Sequence, residues 1–247
     1  MTIFNKIIAL DLLICYYFQG DYMRFRKIKN LEKRRESCTD YRIPYKKIED
    51  LDLKNLEKNY SPIDLSTVFS KEQPLVLEIG CGKGQFAAEY AKRHPDKNII
   101  GVECVPGVLV KACEKVRDAE LDNVRFLEMK AEYLPVFIEK NSVCEIYLNF
   151  STPFPKYKKE KHRLTSPDFL KIYKQLLKND GFIAQKTDNE PFFDYSAESF
   201  TANGFELSEV SRDLHNSGFK DNIVTEYEEK FASQGLPIYR LVAKLKK

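Results

Sequence analysis

The chain has 247 residues, with 40 Lys and Arg against 37 Asp and Glu, for a net charge of +3. Its 43% hydrophobic and 31% charged residues, with ten Gly and eleven Pro, exclude a disordered chain, a collagen-like repeat and a disulfide-dense mini-protein. The length suits one large α/β domain with short appendages, and the small net charge identifies no partner by itself.

Taken in order, residues 1–22 differ from the rest. Ile7 to Phe18 is mostly apolar but interrupted by Asp11, and is too short to cross a membrane as a helix. Only Lys6 precedes it and no small-x-small cleavage site follows, so it makes a poor signal peptide. Met23 opens a strongly basic segment, and residues 1–22 are read as a dispensable extension ahead of the true start; an interfacial anchor is the rival reading. Residues 23–73 are a basic N-terminal arm and lead-in. Within them, 24–35 carry seven basic residues against one acidic. That run is either a solvated arm or a flexible one that closes on a polyanion. Residues 36–73 have no clear period and predict a short helical or irregular lead-in.

The main domain spans 74–247, where apolar runs alternate with helix-period segments in the βαβα pattern of a parallel sheet. Strands are predicted at Leu75–Gly80, Ile99–Glu103, Val124–Met129, Glu145–Phe150 and Phe182–Thr187, then at Phe205–Leu214 and Pro237–Lys246. Helices are predicted at Gln85–His94, Val108–Ala119, Pro167–Leu177, Pro191–Ala202 and around Thr225–Ser233. The six cysteines form no CxxC pair, and none of the three histidines is spaced as a metal pair with a cysteine or another histidine. Reduced cysteines, no metal and a cytoplasmic location are therefore expected.

Leu75-Val-Leu-Glu-Ile-Gly-Cys-Gly-Lys-Gly84 is a buried-type strand running into Gly80, Gly82 and Gly84. These glycines let a ligand approach the backbone before the next helix begins. No GK[ST] follows, so this is not a Walker loop, and the strict two-residue spacing departs from G-x-G-x-x-G. Glu78 points a carboxylate at the ligand site. It would repel a pyrophosphate and attract the amino group of an aminoacyl-type ligand, which favours S-adenosylmethionine over NAD. Glu103, at the end of the second strand, can accept hydrogen bonds from ribose hydroxyls; Glu132, past the third, could reach an adenine edge or simply be an acid at a helix start.

A second cluster follows the fourth strand: Asn149-Phe-Ser-Thr-Pro-Phe-Pro-Lys156, then Lys158, Lys159, Lys161, His162 and Arg163. Loops at the carboxyl ends of parallel strands line the ligand crevice. Basic and aromatic residues there suit an extruded base beside neutralised phosphates.

With these residues in view, the chain resembles the bacterial tRNA (guanine-N7-)-methyltransferases from about Met23 to Lys247. The resemblance rests on Glu78-Ile-Gly-Cys-Gly-Lys-Gly-Gln-Phe86, Gly101-Val-Glu103, Tyr147-Leu-Asn-Phe150, Lys186-Thr-Asp-Asn189, Asp213-Leu-His215, Thr225-Glu-Tyr-Glu228 and Pro237-Ile-Tyr-Arg240. It implies a Rossmann-like class I methyltransferase, an α/β fold with a mostly parallel seven-stranded sheet and helices on both faces. By resemblance, Glu78, Glu103 and Glu132 fall at cofactor-contacting positions. Lys156, Asp188, Thr225, Glu226, Tyr227 and Glu228 fall at substrate-contacting positions, and Lys158–Arg163 at an RNA-interacting loop. One departure stands out: the family usually has Asp-Pro-Trp-Pro-Lys, its aspartate catalytic and cofactor-adjacent, where this chain has Thr152-Pro-Phe-Pro-Lys156. The implied activity is methyl transfer to guanine N7 in tRNA, at guanosine 46 of the variable loop, by a monomer or homodimer. A small-molecule methyltransferase and a tRNA-binding paralogue that has lost turnover are the alternatives.

Overall fold

The structure is a computed structural model that describes residues 28–44 and 61–246. The proposed extension 1–22 and the first part of the basic arm lie outside the described residues.

Among the described residues, seven strands form one sheet in the order β3-β2-β1-β4-β5-β7-β6. They are β1 (Leu75–Ile79), β2 (Asn98–Val102), β3 (Val124–Leu127), β4 (Val143–Asn149), β5 (Leu177–Thr187), β6 (Phe205–Ser211) and β7 (Tyr239–Leu245). The first five are mutually parallel, while β7 runs antiparallel between β5 and β6. The helices are α1 (Leu31–Glu36), α2 (Gln85–Arg93), α3 (Pro106–Asp118), α4 (Leu134–Phe137), α5 (Pro167–Leu176), α6 (Glu190–Ala202) and α7 (Glu226–Ala232). Both faces of the sheet are covered. Val76, Ile99, Val124 and Phe126 pack with α2 and α3, whereas Leu75, Leu77, Ile100, Ile146 and Ile183 pack with α4, α5 and α6. Every residue of β1 and β2 is buried, which is why these strands read as continuous apolar runs rather than alternating ones.

Local signals fix most helix starts. Pro106, Pro167 and Pro191 occupy first-turn positions, where the missing N–H costs nothing. Asn189 accepts a hydrogen bond from the Phe192 N–H, and Thr225 one from the Glu228 N–H. The predicted strand at Phe182 begins five residues earlier, at Leu177, which pairs with Val143; the chain passes from α5 into β5 without a loop. The predicted ends at Met129, Leu214 and Pro237 shorten. The predicted lead-in contains short 3₁₀ turns at Thr39–Tyr41 and Leu65–Thr67. Arg42 and Ile43 lie beside Phe126 and extend the β3 edge.

The basic arm requires a correction. Its C-terminal part is α1, docked on α3. Arg34 forms a bidentate pair with Glu114, and Arg35 and Arg42 share Glu128. Over its described part the arm is therefore a helix anchored by internal ion pairs, and two of its arginines already have partners. Lys29 and Lys33 remain exposed.

Candidate active site

The strand order reverses between β1 and β4, the topological switch point where an open α/β sheet leaves a crevice at the carboxyl ends of its strands. Glu78 of β1 and Asn149 of β4 meet there, with the Asn149 amide donating to Glu78 Oε1 at 3.1 Å. Glu78 is 2% exposed, and its Oε2 is buried and makes no hydrogen bond. Burial pushes its carboxyl up to about 8, against the Asn149 hydrogen bond and the Lys186 charge. A buried carboxylate oxygen with a free lone pair fits a cationic amino group.

The three glycines divide their work. Gly82 has φ +55, and a Cβ built on it meets nothing within 4 Å; the space above it is open to a ligand. Gly84 was expected to contact the cofactor, but its added Cβ would lie 2.7 Å from Ala112 Cβ and 3.3 Å from Phe126. Its lack of a side chain serves the contact between α2 and α3 rather than the crevice. Glu103 ties the loop to β2, accepting from the Gly82 N–H at 3.2 Å and the Val105 N–H at 3.0 Å. Burial pushes its carboxyl up against those bonds. Cys104 adds its backbone N–H and thiol to the groups that bond the same carboxylate. Glu132 lies exposed on the 3₁₀ turn Ala131–Tyr133, close enough to His162 for its charge to be felt there.

The loop after β4 folds over this floor. Thr152 is half-buried, between Phe150 (φ 51) and Phe154 (φ 40), both in the left-handed region. Non-glycine residues are held there only when their surroundings impose it. Arg163 supplies much of that constraint. It donates to the Pro153 carbonyl at 2.9 Å and the Phe154 carbonyl at 3.2 Å, and its guanidinium lies 4.1 Å from the Tyr195 ring centroid. Arg163 was predicted to face RNA; in the structure it clasps the loop. Lys156, Lys158 and Lys161 are exposed and Lys159 is half-buried. Burial, reinforced by the lysine charges, holds His162 below the ordinary histidine range; at neutral pH it faces this surface as a neutral ring. Leu164 brings the loop's end to 4.0 Å from the Cβ position of Gly80.

The far wall is α7, held from two sides. Lys83 of the glycine loop pairs with Glu226 at 2.6 Å, and Lys115 approaches the same carboxylate at 3.4 Å. Glu228 is fully buried. It takes hydrogen bonds from Lys186 Nζ at 2.6 Å and from the Asn222 amide, and pairs with His215 Nε2 at 2.9 Å. Burial alone would push its carboxyl up, yet Lys186 and these bonds hold it below the usual carboxylate range. Lys186 also donates to Asn222 Oδ1 at 3.0 Å and the Ile223 carbonyl at 2.7 Å, so its three ammonium hydrogens are all engaged. Of the expected substrate contacts, Thr225 caps α7 and Glu228 is buried within the fold. Tyr227 stays 46% exposed. Asp188, at the end of β5, is half-buried; burial pushes its carboxyl up, opposed by its own backbone N–H and by Lys230. Of the acids that could stand in for a carboxylate at 152, Asp188 alone is held by no ion pair among the described residues.

Asn149, Phe150, Ser151 and Lys186 were given no role from sequence. Asn149 and Lys186 are polar residues inside apolar strand runs, a signal that a buried partner exists. Ser151 Oγ, like Glu78 Oε2, is buried without a hydrogen bond. Among the described residues, no group of three His, Cys, Asp or Glu could hold a metal ion, and no helix is long and apolar enough to cross a membrane.

Comparison with known proteins gives this geometry a family. Residues 72–241 match the family described as putative methyltransferase. The chain is 51% identical over 176 residues to the tRNA (guanine-N(7)-)-methyltransferase of Geobacillus kaustophilus, covering 71% of this chain and 81% of that protein. It is 48% identical over 175 residues to the enzyme of the same name from Bacillus subtilis, covering 71% and 82%. Among solved structures, an antibiotic-related methyltransferase superposes with a TM-score of 0.57 at 19% identity, over 81% of this chain and 96% of that one, a likeness of fold alone. The sheet order, the glycine loop at the switch point and these identities establish that the chain belongs to the tRNA (guanine-N7-)-methyltransferase family, with a Rossmann-like class I methyltransferase fold.

Proposed function

We propose that this chain transfers a methyl group from S-adenosylmethionine to N7 of guanine in tRNA, at guanosine 46 of the variable loop, acting in the cytoplasm as a monomer or homodimer. One observation carries the reading: a single sheet edge joins a buried carboxylate oxygen free to accept, Glu78 Oε2, open space over Gly82 and a lysine-rich loop at Lys156–Lys161. Family membership supports it.

S-adenosylmethionine fits the residues present and, when bound, supplies an electrophilic methyl group on a sulfonium. Glu78 would hold its amino group, Gly80 and Gly82 its backbone-facing side, Glu103 its ribose and Glu132 the adenine edge. The lysines at 156, 158, 159 and 161 would neutralise tRNA phosphates, while Arg163 keeps Thr152 and Phe154 turned toward the crevice. Guanine N7 carries a lone pair and no proton, so no side chain has to act as a base. The chain's task is alignment of the purine and stabilisation of the charge that develops on it. Thr152 can hydrogen-bond there but brings no charge; Asp188, held by no ion pair among the described residues, is the acid left to offer one.

The test is incubation of the protein with unmodified tRNA and S-adenosylmethionine, followed by nucleoside mass spectrometry. N7-methylguanosine at position 46 is the expected product. Cofactor and tRNA binding without turnover would instead support the paralogue, and modification at another guanosine would correct the position.

A further inference from the structure

Three aromatic rings stand at the mouth of the crevice. Phe150 follows directly on β4, with its N–H bonded to the Lys186 carbonyl at 2.8 Å. Its left-handed φ of 51 turns the chain out of the sheet two residues before Thr152. Tyr227 and Phe231 are four residues apart on α7, hence on one helix face, and that helix is pinned by Lys83–Glu226 and Lys186–Glu228. The Phe150 centroid lies 6.3 Å from that of Tyr227 and 6.2 Å from that of Phe231, and Tyr227 lies 6.5 Å from Phe231. The interplanar angles are 20°, 25° and 25°. Three nearly parallel rings at the corners of a nearly equilateral triangle cannot all lie face over face. They sit partly side by side, which makes an aromatic surface broader than one ring.

Two features say what this surface receives. Lys230 Nζ sits 5.3 Å from the Phe231 centroid, so one ring of the three already holds a cation over its face. Asp188, which feels the Lys230 charge, adds a carboxylate at the rim. Flat apolar area, a face already engaged by a cation and a neighbouring acid together suit a planar ring that carries positive charge.

Resting on the methyl-transfer reading above, we propose that Phe150, Tyr227 and Phe231 form the stacking surface for the target guanine and prefer its cationic N7-methylated form. The ring faces would thereby do part of the work of the carboxylate that Thr152 lacks. In the reaction N7 forms one bond to the methyl carbon with its own lone pair. The carbon–sulfur bond breaks with its electron pair left on sulfur, and the positive charge passes to the purine. No proton moves. A surface that binds the cationic purine more tightly than the neutral one also stabilises the transition state between them.

The test needs no turnover. A short end-labelled RNA with one guanine, and the same RNA with one N7-methylguanine, are titrated with the full chain at mildly acidic pH, where the methylated base is cationic, and followed by fluorescence anisotropy. The methylated RNA is expected to bind about three- to tenfold more tightly. Tyr227→Ala should bring that ratio close to one, whereas Tyr227→Phe, which keeps the ring, should preserve it. Equal affinity of the parent for both RNAs, no detectable binding of either, or an undiminished ratio in Tyr227→Ala overturns the proposal. Nucleoside analysis of the parent decides the methyl-transfer reading separately: N7-methylguanosine formed by a protein that shows no such ratio would remove the aromatic surface and keep the activity.

Discussion

Replacing Glu78 by glutamine removes a titratable group from the crevice floor while keeping its shape and an acceptor for the Asn149 amide. Burial raises the Glu78 carboxyl from 4.5 to about 8 in the folded chain. The folded state therefore binds this proton more tightly than the unfolded state. The stability it contributes is fully present below the unfolded value and is lost as pH rises through about 8. Between about pH 5 and about pH 9 the parent should lose about 4 kcal/mol relative to Glu78→Gln, from ~1.36 kcal/mol per pKa unit acting across that window. Urea denaturation of both proteins at each pH, without cofactor, reads this difference directly. Cofactor affinity should move the other way. Loss of a charge-assisted hydrogen bond to an amino group costs about 1.5–3 kcal/mol, or roughly 10- to 150-fold in the Kd of S-adenosylmethionine by calorimetry. A variant that is equally destabilised at both pH values and binds the cofactor unchanged would refute the reasoning, leaving Glu78 as a packing residue.

Lys186→Met should cost about 3–5 kcal/mol by stranding the buried Glu228 carboxylate, a fall in Tm of roughly 6–20 °C for a chain of this size. A double-mutant cycle with Glu228→Gln should show strong coupling near neutral pH, shrinking as acid passes the lowered Glu228 value, and additive effects would contradict the ion pair. Thr152→Asp should raise the single-turnover methyl-transfer rate by up to about tenfold, short of the ~10²-fold that a well-positioned charge supplies; Thr152→Ala matching the parent, with Thr152→Asp slower, would remove this position from catalysis. Arg163→Ala should lower kcat/KM by releasing the Pro153 and Phe154 carbonyls, with little change in the salt dependence of tRNA binding. Lys158→Ala should do the reverse, reducing the salt slope by about one while the chemical step holds.

The sheet was legible because buried parallel strands leave a strong trace: β1 and β2 are buried along their whole length and apolar but for Glu78 and Asn98, and most helix starts carry a proline, Asn189 or Thr225 where backbone N–H groups need it. The place of Glu78 was legible for a related reason: its position two residues before Gly80 fixes it near the end of a central strand, at the edge where the crevice opens. What sequence alone left out has a different cause. Gly84 resembles Gly82 in sequence, and only the packing of Ala112 and Phe126 separates a glycine needed for helix contact from one that leaves room for a ligand. Arg34, Arg35 and Arg163 read as free positive charge, yet Glu114, Glu128 and two loop carbonyls already hold them. Glu228 shares a four-residue motif with the exposed Tyr227, while helix geometry turns one side chain inward to Lys186 and the other outward. A charged residue in a motif declares a charge without its partner, and that partner comes from sequence-distant contacts: 80 residues separate Arg34 from Glu114, and 42 separate Lys186 from Glu228. The same distance effect hid the aromatic surface, because Phe150 and Tyr227 become neighbours only once β4 and α7 meet over the crevice.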